Sequence, residues 1–293
     1  MSVYSIKDLE QLSGIKAHTL RIWEQRYNFI KPKRTDTNIR FYDDNDLKLV
    51  LNISLLKDNG HKISKICKMC SADINQEVVK LTEVRLSLPE QIHALTLAMI
   101  DCSEDQFDKI MTANIAQYGL EETMMNLIFP FLNQIGVLWQ TGSICPSHEH
   151  YITSLVKQKL YGAIQSHTVE KPSGKNKYML FLPEGEFHEL SLLFAWYLLK
   201  TRDKKVIYLG SNLDLKYIRN VYESQKPEIL VSALTSCPEA NSTQLFIDSL
   251  AEEFNKSTLI LSGRQVIGKN LEPGRNVLLL NNFNELIDFC EIN

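Results

Sequence analysis

The sequence predicts a multidomain α and α/β protein: a helix-turn-helix head over residues 1–72, a four-helix bundle over 88–167, and a doubly wound parallel-sheet domain over 176–293. Three observations lead there. Short helical stretches broken by tight turns fill the first 70 residues. A helical apolar period then runs through 88–167. Beyond residue 176 the period changes to short apolar runs alternating with helical stretches, the pattern of a parallel sheet covered by helices.

In the head, Ser5-Ile6-Lys7-Asp8 reads as a capping box, and Ile6, Leu9 and Leu12 form an apolar stripe behind it. Ser13-Gly14-Ile15 is a turn. A second helix, Lys16 to Tyr27, carries Leu20 and Trp23 on its inner face. Two helices joined by a Gly-containing turn make a helix-turn-helix. A basic segment from Lys33 to Tyr42 follows, and Asp43-Asp44-Asn45 caps a helix carrying Leu47, Val50, Leu51 and Leu55. Asn59-Gly60 breaks the chain before a short helix with Ile63 and Ile66. Residues 71–87, mixed and with a charged helical look, read as a linker.

The bundle is predicted from Ile92-Leu95-Leu97, Phe107-Ile110-Met111, Met124-Leu127-Ile128-Phe131 and Tyr151-Leu155-Leu160. Glu170 to Lys175, polar with Pro and Gly, is a second linker. Strands are expected at Tyr178–Leu182, Lys205–Leu209, Ile229–Leu234, Thr258–Leu261 and Val277–Leu280, with helices at 189–201, 213–225 and 241–256. In such sheets ligands bind beyond the carboxyl ends of the strands.

Composition narrows the class. At 293 residues, 44% hydrophobic and 23% charged, the chain can build real cores without staples. No apolar run reaches the roughly 18 residues of a spanning helix, and no leader pattern opens the sequence, so no membrane association and a cytoplasmic location are expected. The six Cys are scattered, and Cys67-Lys68-Met69-Cys70 has no second pair, so it reads as a helix terminus rather than a zinc site. The first 70 residues carry a net +5 and the remainder −8. A basic head on an acidic body fits a nucleic-acid-binding module attached to something else. No nucleophile–base arrangement or phosphate loop is present, and Gly210-Ser211-Asn212 is a turn, so no catalytic role is expected.

A helix fits the major groove and reads bases with its outer face. Here that face carries His18, Thr19, Arg21 and Arg26, while Lys33, Arg34, Arg40 and Tyr42 follow on a segment suited to phosphate contacts. Thr19-Leu20-Arg21-Ile22-Trp23-Glu24-Gln25-Arg26-Tyr27, then Pro32-Lys33-Arg34-Thr35 and Arg40-Phe41-Tyr42, resemble the winged-helix head of the MerR family over residues 3–70. The resemblance implies a homodimer on a palindromic double-stranded operator. Asn38-Ile39 stands where the family has a Gly before the Arg. MerR relatives dimerise through a long coiled coil, but no sustained heptad run follows residue 70, so association is assigned to the rest of the chain.

Three further features stand out. Trp139 is followed by Glu149-His150, an indole and an imidazole able to cover a flat ligand. Glu186-Phe187-His188 sits after the first α/β strand, where a neutral imidazole oriented by a carboxylate suits a transition metal such as cobalt. Ser232-Ala233-Leu234 and Ser262-Gly263 end later strands with small residues that leave room for an extended ligand tail. Together these resemble the cobalamin-binding module of methionine synthase and its relatives, of Rossmann/flavodoxin-like fold, whose signature is Asp/Glu-x-His-x-x-Gly, then Ser-x-Leu, then Gly-Gly at set intervals. Ser191 replaces the signature Gly, and Ser262 the first Gly of the pair.

This resemblance implies base-off binding of adenosylcobalamin or methylcobalamin, with His188 as lower cobalt ligand and the tail near Ser191, Ser232, Leu234, Ser262 and Gly263. Trp139, Glu149 and His150 match the cap motif of MerR-type photoreceptor repressors related to carotenoid-gene regulators. In those relatives ligand between cap and α/β domain favours a repressing tetramer that light dissociates. Light-sensing members can carry a His after the cap Trp; Gln140 stands there, which argues against a bis-histidine photoproduct. The expected protein is therefore a regulator whose corrinoid changes its dimer or tetramer state and its operator binding. Two other readings stay open at this point: a regulator whose sensor no longer binds corrinoid, and a corrinoid carrier subunit of a methyltransferase.

Overall fold

The computed structural model describes residues 3–35, 37–82, 87–140, 145–167, 176–238 and 242–292. The chain forms two compact units, Met1–Ser154 and Leu155–Asn293.

In the first unit, α1 (Ile6–Ser13) starts at the expected capping box. The Ser5 hydroxyl accepts from the Asp8 N–H, and the Asp8 carboxylate accepts from the Ser5 N–H. Gly14, at φ +70°, ends it. A side chain resists that left-handed backbone, which is why a glycine marks the turn. α2 (Ala17–Tyr27) buries Leu20 and Trp23 against the neighbouring helices. Strands β1 (Lys33–Arg34) and β2 (Arg40–Phe41) pair antiparallel as a small wing, and a bridge between Tyr4 and Tyr42 ties its base to the N-terminus. Asn38 takes φ +64° at the wing tip. Asn tolerates that conformation better than other side chains.

α3 (Asp44–Asp58) begins at a second capping box, Asp43 with Asp46. α4 (Ile63–Ile66) follows, and Cys67 caps its end as expected. The stretch read as a linker instead holds a helix, α5 (Ser71–Thr82), packed on α3. Then come α6 (Leu88–Ile100), α7 (Glu104–Thr123), a π-helical stretch at Met124–Ile128, α8 (Phe129–Gln140) and α9 (Pro146–Ser166). Leu95, Met99, Phe107, Met111, Leu127 and Phe131 are buried in this bundle.

The head packs directly on the bundle. α6 lies against α3, Lys48 pairs with Asp101, and Asn59 donates to Glu90 at 2.5 Å. Gln134 of α8 donates to the Gln11 carbonyl at 3.1 Å. His93 of α6 is buried close to Leu12 and Asp58 of the head.

The second unit has five parallel strands: β3 (Lys177–Pro183), β4 (Lys205–Leu213), β5 (Ile229–Ala233), β6 (Thr258–Ser262) and β7 (Val277–Leu279). Their order across the sheet is β4-β3-β5-β6-β7. Helices α10 (Leu190–Thr201), α11 (Leu215–Gln225), α12 (Thr243–Glu253) and α13 (Phe283–Ile292) complete the alternation. All five predicted strands are present, and β3, flanked on both sides, is buried along almost its whole length, as its unbroken apolar run requires. The order is that of a flavodoxin-like sheet. The chain leaves β3 for β4 on one side and returns to β5 on the other, so the crevice at the carboxyl ends of β3 and β5 is the switch point where such sheets bind ligands.

Candidate functional site

The turn after β3 opens at that switch point. Gly185, at φ +82°, lets the chain reverse so that Glu186 points back beneath it. The Glu186 side chain is fully buried and is the acceptor for six donors. Oε2 takes the backbone N–H groups of Thr235, Ser236 and Cys237 at 2.7, 2.6 and 3.1 Å. Oε1 takes the His188 N–H at 2.9 Å, the His188 ring Nδ1 at 2.7 Å and the Ser236 hydroxyl at 3.1 Å. Burial alone would raise this carboxyl, but the bonds from His188, Ser236 and Cys237 outweigh it and hold the group well below the usual carboxylate range.

That ionised state fixes the neighbouring ring. A carboxylate can only accept, so Nδ1 of a neutral His188 carries the proton and Nε2 carries the lone pair. The ring is 55% exposed and is anchored to Glu186 through Nδ1. This is the carboxylate–histidine pair that orients metal-ligating imidazoles. Both Glu186 oxygens are already saturated, so the pair offers a metal one ligand only. One imidazole suits a metal that arrives with its other ligands supplied, as cobalt does in a corrin ring.

The adjacent strand ends fit an extended ligand. Ser232, at the end of β5, is buried, and its hydroxyl finds no hydrogen-bond partner among the described residues. A polar group of a bound tail would satisfy it. Gly263 has φ +104°, and a Cβ there would lie 2.5 Å from the Leu234 carbonyl oxygen. The β6 turn is therefore pressed on the Leu234 backbone, whose N–H donates to Ser262 at 2.8 Å while its carbonyl accepts from Gln265 at 2.9 Å. Ser262 and Ser191 are both partly exposed. The Leu234 side chain is wholly buried in the α/β core, so its backbone is what shapes the turn.

The structure thus gathers Glu186, His188, Ser232, Leu234, Ser262 and Gly263 at the carboxyl ends of β3, β5 and β6, with Ser191 in the first turn of α10. Thr235, Ser236 and Cys237, which hold Glu186, were not singled out in the sequence. Their signal is weak because three backbone amides leave no mark on residue type. Glu149 and His150 lie in α9, 3.3 Å apart, with the imidazole largely exposed. Trp139 and Gln140 fall in the last turn of α8, and their side chains lie outside the described residues.

On the head, His18, Arg21, Arg26, Lys33, Arg34 and Arg40 are exposed and Thr19 partly so. Arg34 donates to Asn38 Oδ1 at 2.6 Å within the wing, and Lys33 pairs with Asp43. Tyr42 is a correction. It is fully buried, and its hydroxyl donates to Glu24 of α2. Burial and the Glu24 carboxylate push its phenol far up. It holds the recognition helix from inside the head and offers no surface to DNA.

A DNA-binding head of the MerR type joined to a B12-binding module is the class these parts define. Residues 4–73 match the MerR HTH family regulatory proteins, and residues 91–161 match the B12 binding domain family. The chain is homologous to two HTH-type transcriptional repressors of Myxococcus xanthus. It is 23% identical to CarH over 239 residues, 78% of this chain and 77% of CarH. It is 23% identical to CarA over 230 residues, 77% and 74% of the two chains. The monomethylamine corrinoid protein of Methanosarcina barkeri shares the fold at 13% identity, with a TM-score of 0.54 over 75% of this chain and all of that one.

Proposed function

We propose that this protein is a one-component transcriptional regulator that binds a cobalamin through His188 and, in response, alters its own association and its grip on an operator. The carrying observation is the Glu186–His188 pair at the sheet's switch point, a buried carboxylate taking six donors and holding a half-exposed imidazole through Nδ1. The unsatisfied hydroxyl of Ser232 supports a ligand tail there. The repressor names of CarH and CarA support the regulatory role, and no enzymatic step is assigned to the chain.

A bound corrinoid would supply a cobalt centre able to accept an imidazole nitrogen. His188 would hold that centre, Glu186 would fix the ring's tautomer through Nδ1, and the Ser232 hydroxyl would meet a polar group of the tail. Coupling to DNA requires that assembly states differ in affinity for the cofactor. The working states are a dimer and a tetramer, acting on double-stranded DNA in the cytoplasm. Among the described residues no helix is long and apolar enough to cross a membrane.

The test is reconstitution of the full chain with adenosylcobalamin and with methylcobalamin, in dark and in light. Absorbance, solution mass and operator binding are followed for wild type and His188→Ala. Wild type takes up cofactor with a histidine-ligated spectrum, and the variant binds more weakly with a shifted spectrum. Identical spectra and affinities for the two proteins reject His188 as the axial ligand.

A further inference from the structure

Resting on the DNA-binding reading above, we infer that Ile22 is a specificity residue of the recognition helix, reading the 5-methyl group of a thymine in the major groove. Ile22 lies midway along α2 and is 53% exposed. Leu20, Trp23 and Glu24 turn inward, which leaves His18, Arg21, Ile22, Gln25 and Arg26 as the outer face. His18 is one turn before Ile22 and Arg26 one turn after, so the isoleucine sits at the centre of a polar, cationic stripe.

A single exposed isoleucine is ordinary on a protein surface. Position sets this one apart. Among the described residues of the head, the exposed large hydrophobics are Val3, Ile22 and Ile39. Two of the three stand on the elements a winged helix lays against DNA: the middle of the recognition helix and the wing tip. The major groove presents one apolar feature, the thymine methyl. The exposed cations of the same face, Arg21 and Arg26, bring the phosphate backbone close enough to bury it. A branched aliphatic side chain offers no hydrogen bond to any base, so it rewards thymine and leaves the polar edges of the other bases unpaired.

The experiment first selects a site from a random duplex pool with the full-length protein, with and without adenosylcobalamin. Each thymine in the selected half-site is then replaced by deoxyuridine, which removes only the methyl group. Wild-type affinity is expected to fall about fourfold at one thymine per half-site, the worth of one buried methyl. Ile22→Ala, a helix-favouring change at a half-exposed position, is expected to melt like wild type, to bind about fourfold more weakly, and to treat thymine and uracil alike at that position. A variant that still discriminates as wild type does, or a wild type indifferent to every uracil, overturns the inference while leaving DNA binding intact. Failure to enrich any sequence defeats the DNA-binding reading itself, and this one with it.

Discussion

Replacing Glu186 by Gln changes one oxygen to an NH2 and removes the charge, and the structure dictates where the damage falls. If the amide nitrogen takes the Oε2 position, it faces three backbone N–H donors, from Thr235, Ser236 and Cys237. At the Oε1 position it faces one fixed donor, the His188 N–H, together with the ring Nδ1 and the Ser236 hydroxyl. Ring and hydroxyl can each become acceptors, so the second orientation wins. The His188 ring must then place its lone pair on Nδ1 and its proton on Nε2, which turns the metal-binding nitrogen into a donor. Bonds to a charged group contribute about 1.5–3 kcal/mol each, and losing the charge with one donor left unmatched costs about 3 kcal/mol of stability. Corrinoid affinity falls about 10–100-fold, the usual effect of removing an outer-shell partner. Denaturant unfolding measures the first, a spectroscopic titration with cobalamin the second, and 15N NMR of labelled histidine the tautomer. A Glu186→Gln protein that keeps the Nε2 lone pair and wild-type affinity would refute the reasoning.

Two further predictions concern the first unit. Arg40→Ala removes an exposed cation from the wing and is expected to weaken binding to all sequences alike, lowering the salt slope of log K by about 0.9, whereas Tyr42→Phe costs about 1–3 kcal/mol of head stability and leaves that slope unchanged; titrations at several salt concentrations separate the two. The second concerns pH. Burial holds the His93 imidazole below its ordinary pKa, against the pull of Asp58 and Glu90. A base with a depressed folded pKa stabilises the fold fully above its unfolded value, about 6.5, and that stability is lost as pH falls below it. The thermal midpoint of the first unit therefore drops between pH 7 and 5, and His93→Gln flattens the profile; an unchanged slope in the variant removes His93 as the cause.

Much of this architecture was legible because it rests on local rules. Capping residues at Ser5 and Asp43, the left-handed Gly14, and the switch from helical period to short apolar runs each mark a boundary by residue type. All five strands and the order of helices follow from them. The misreadings share a different cause. Residues 71–87 look like a linker because their helical pattern is mixed, yet a helix needs only a narrow face to pack, and α5 finds one against α3. Tyr42 looked like a DNA contact because it ends a basic run, but it follows β2, and its bridge to Tyr4 and its hydrogen bond to Glu24 take it into the core of the head. The Glu186 cradle was half visible: the carboxylate and imidazole announced themselves, while the amides of residues 235–237 are common to every sequence.

A buried carboxylate can be a structural staple as easily as part of a ligand site, and the two oxygens of Glu186 divide those roles. Oε2 bonds only to the loop after β5 and is sufficient to pin it. Oε1 receives both the backbone and the ring of His188, a ring more than half exposed, together with the Ser236 hydroxyl. A staple needs no second oxygen committed to an exposed imidazole, and an exposed imidazole needs no fixed tautomer unless its far nitrogen has work to do. His188→Ala separates the roles, since it deletes the ring and keeps all three Oε2 bonds and the His188 backbone bond. Stability should fall by no more than about 3 kcal/mol, the upper worth of one bond to a charged group, while corrinoid binding is largely lost. A large loss of stability in that variant would instead make the ring part of the scaffold.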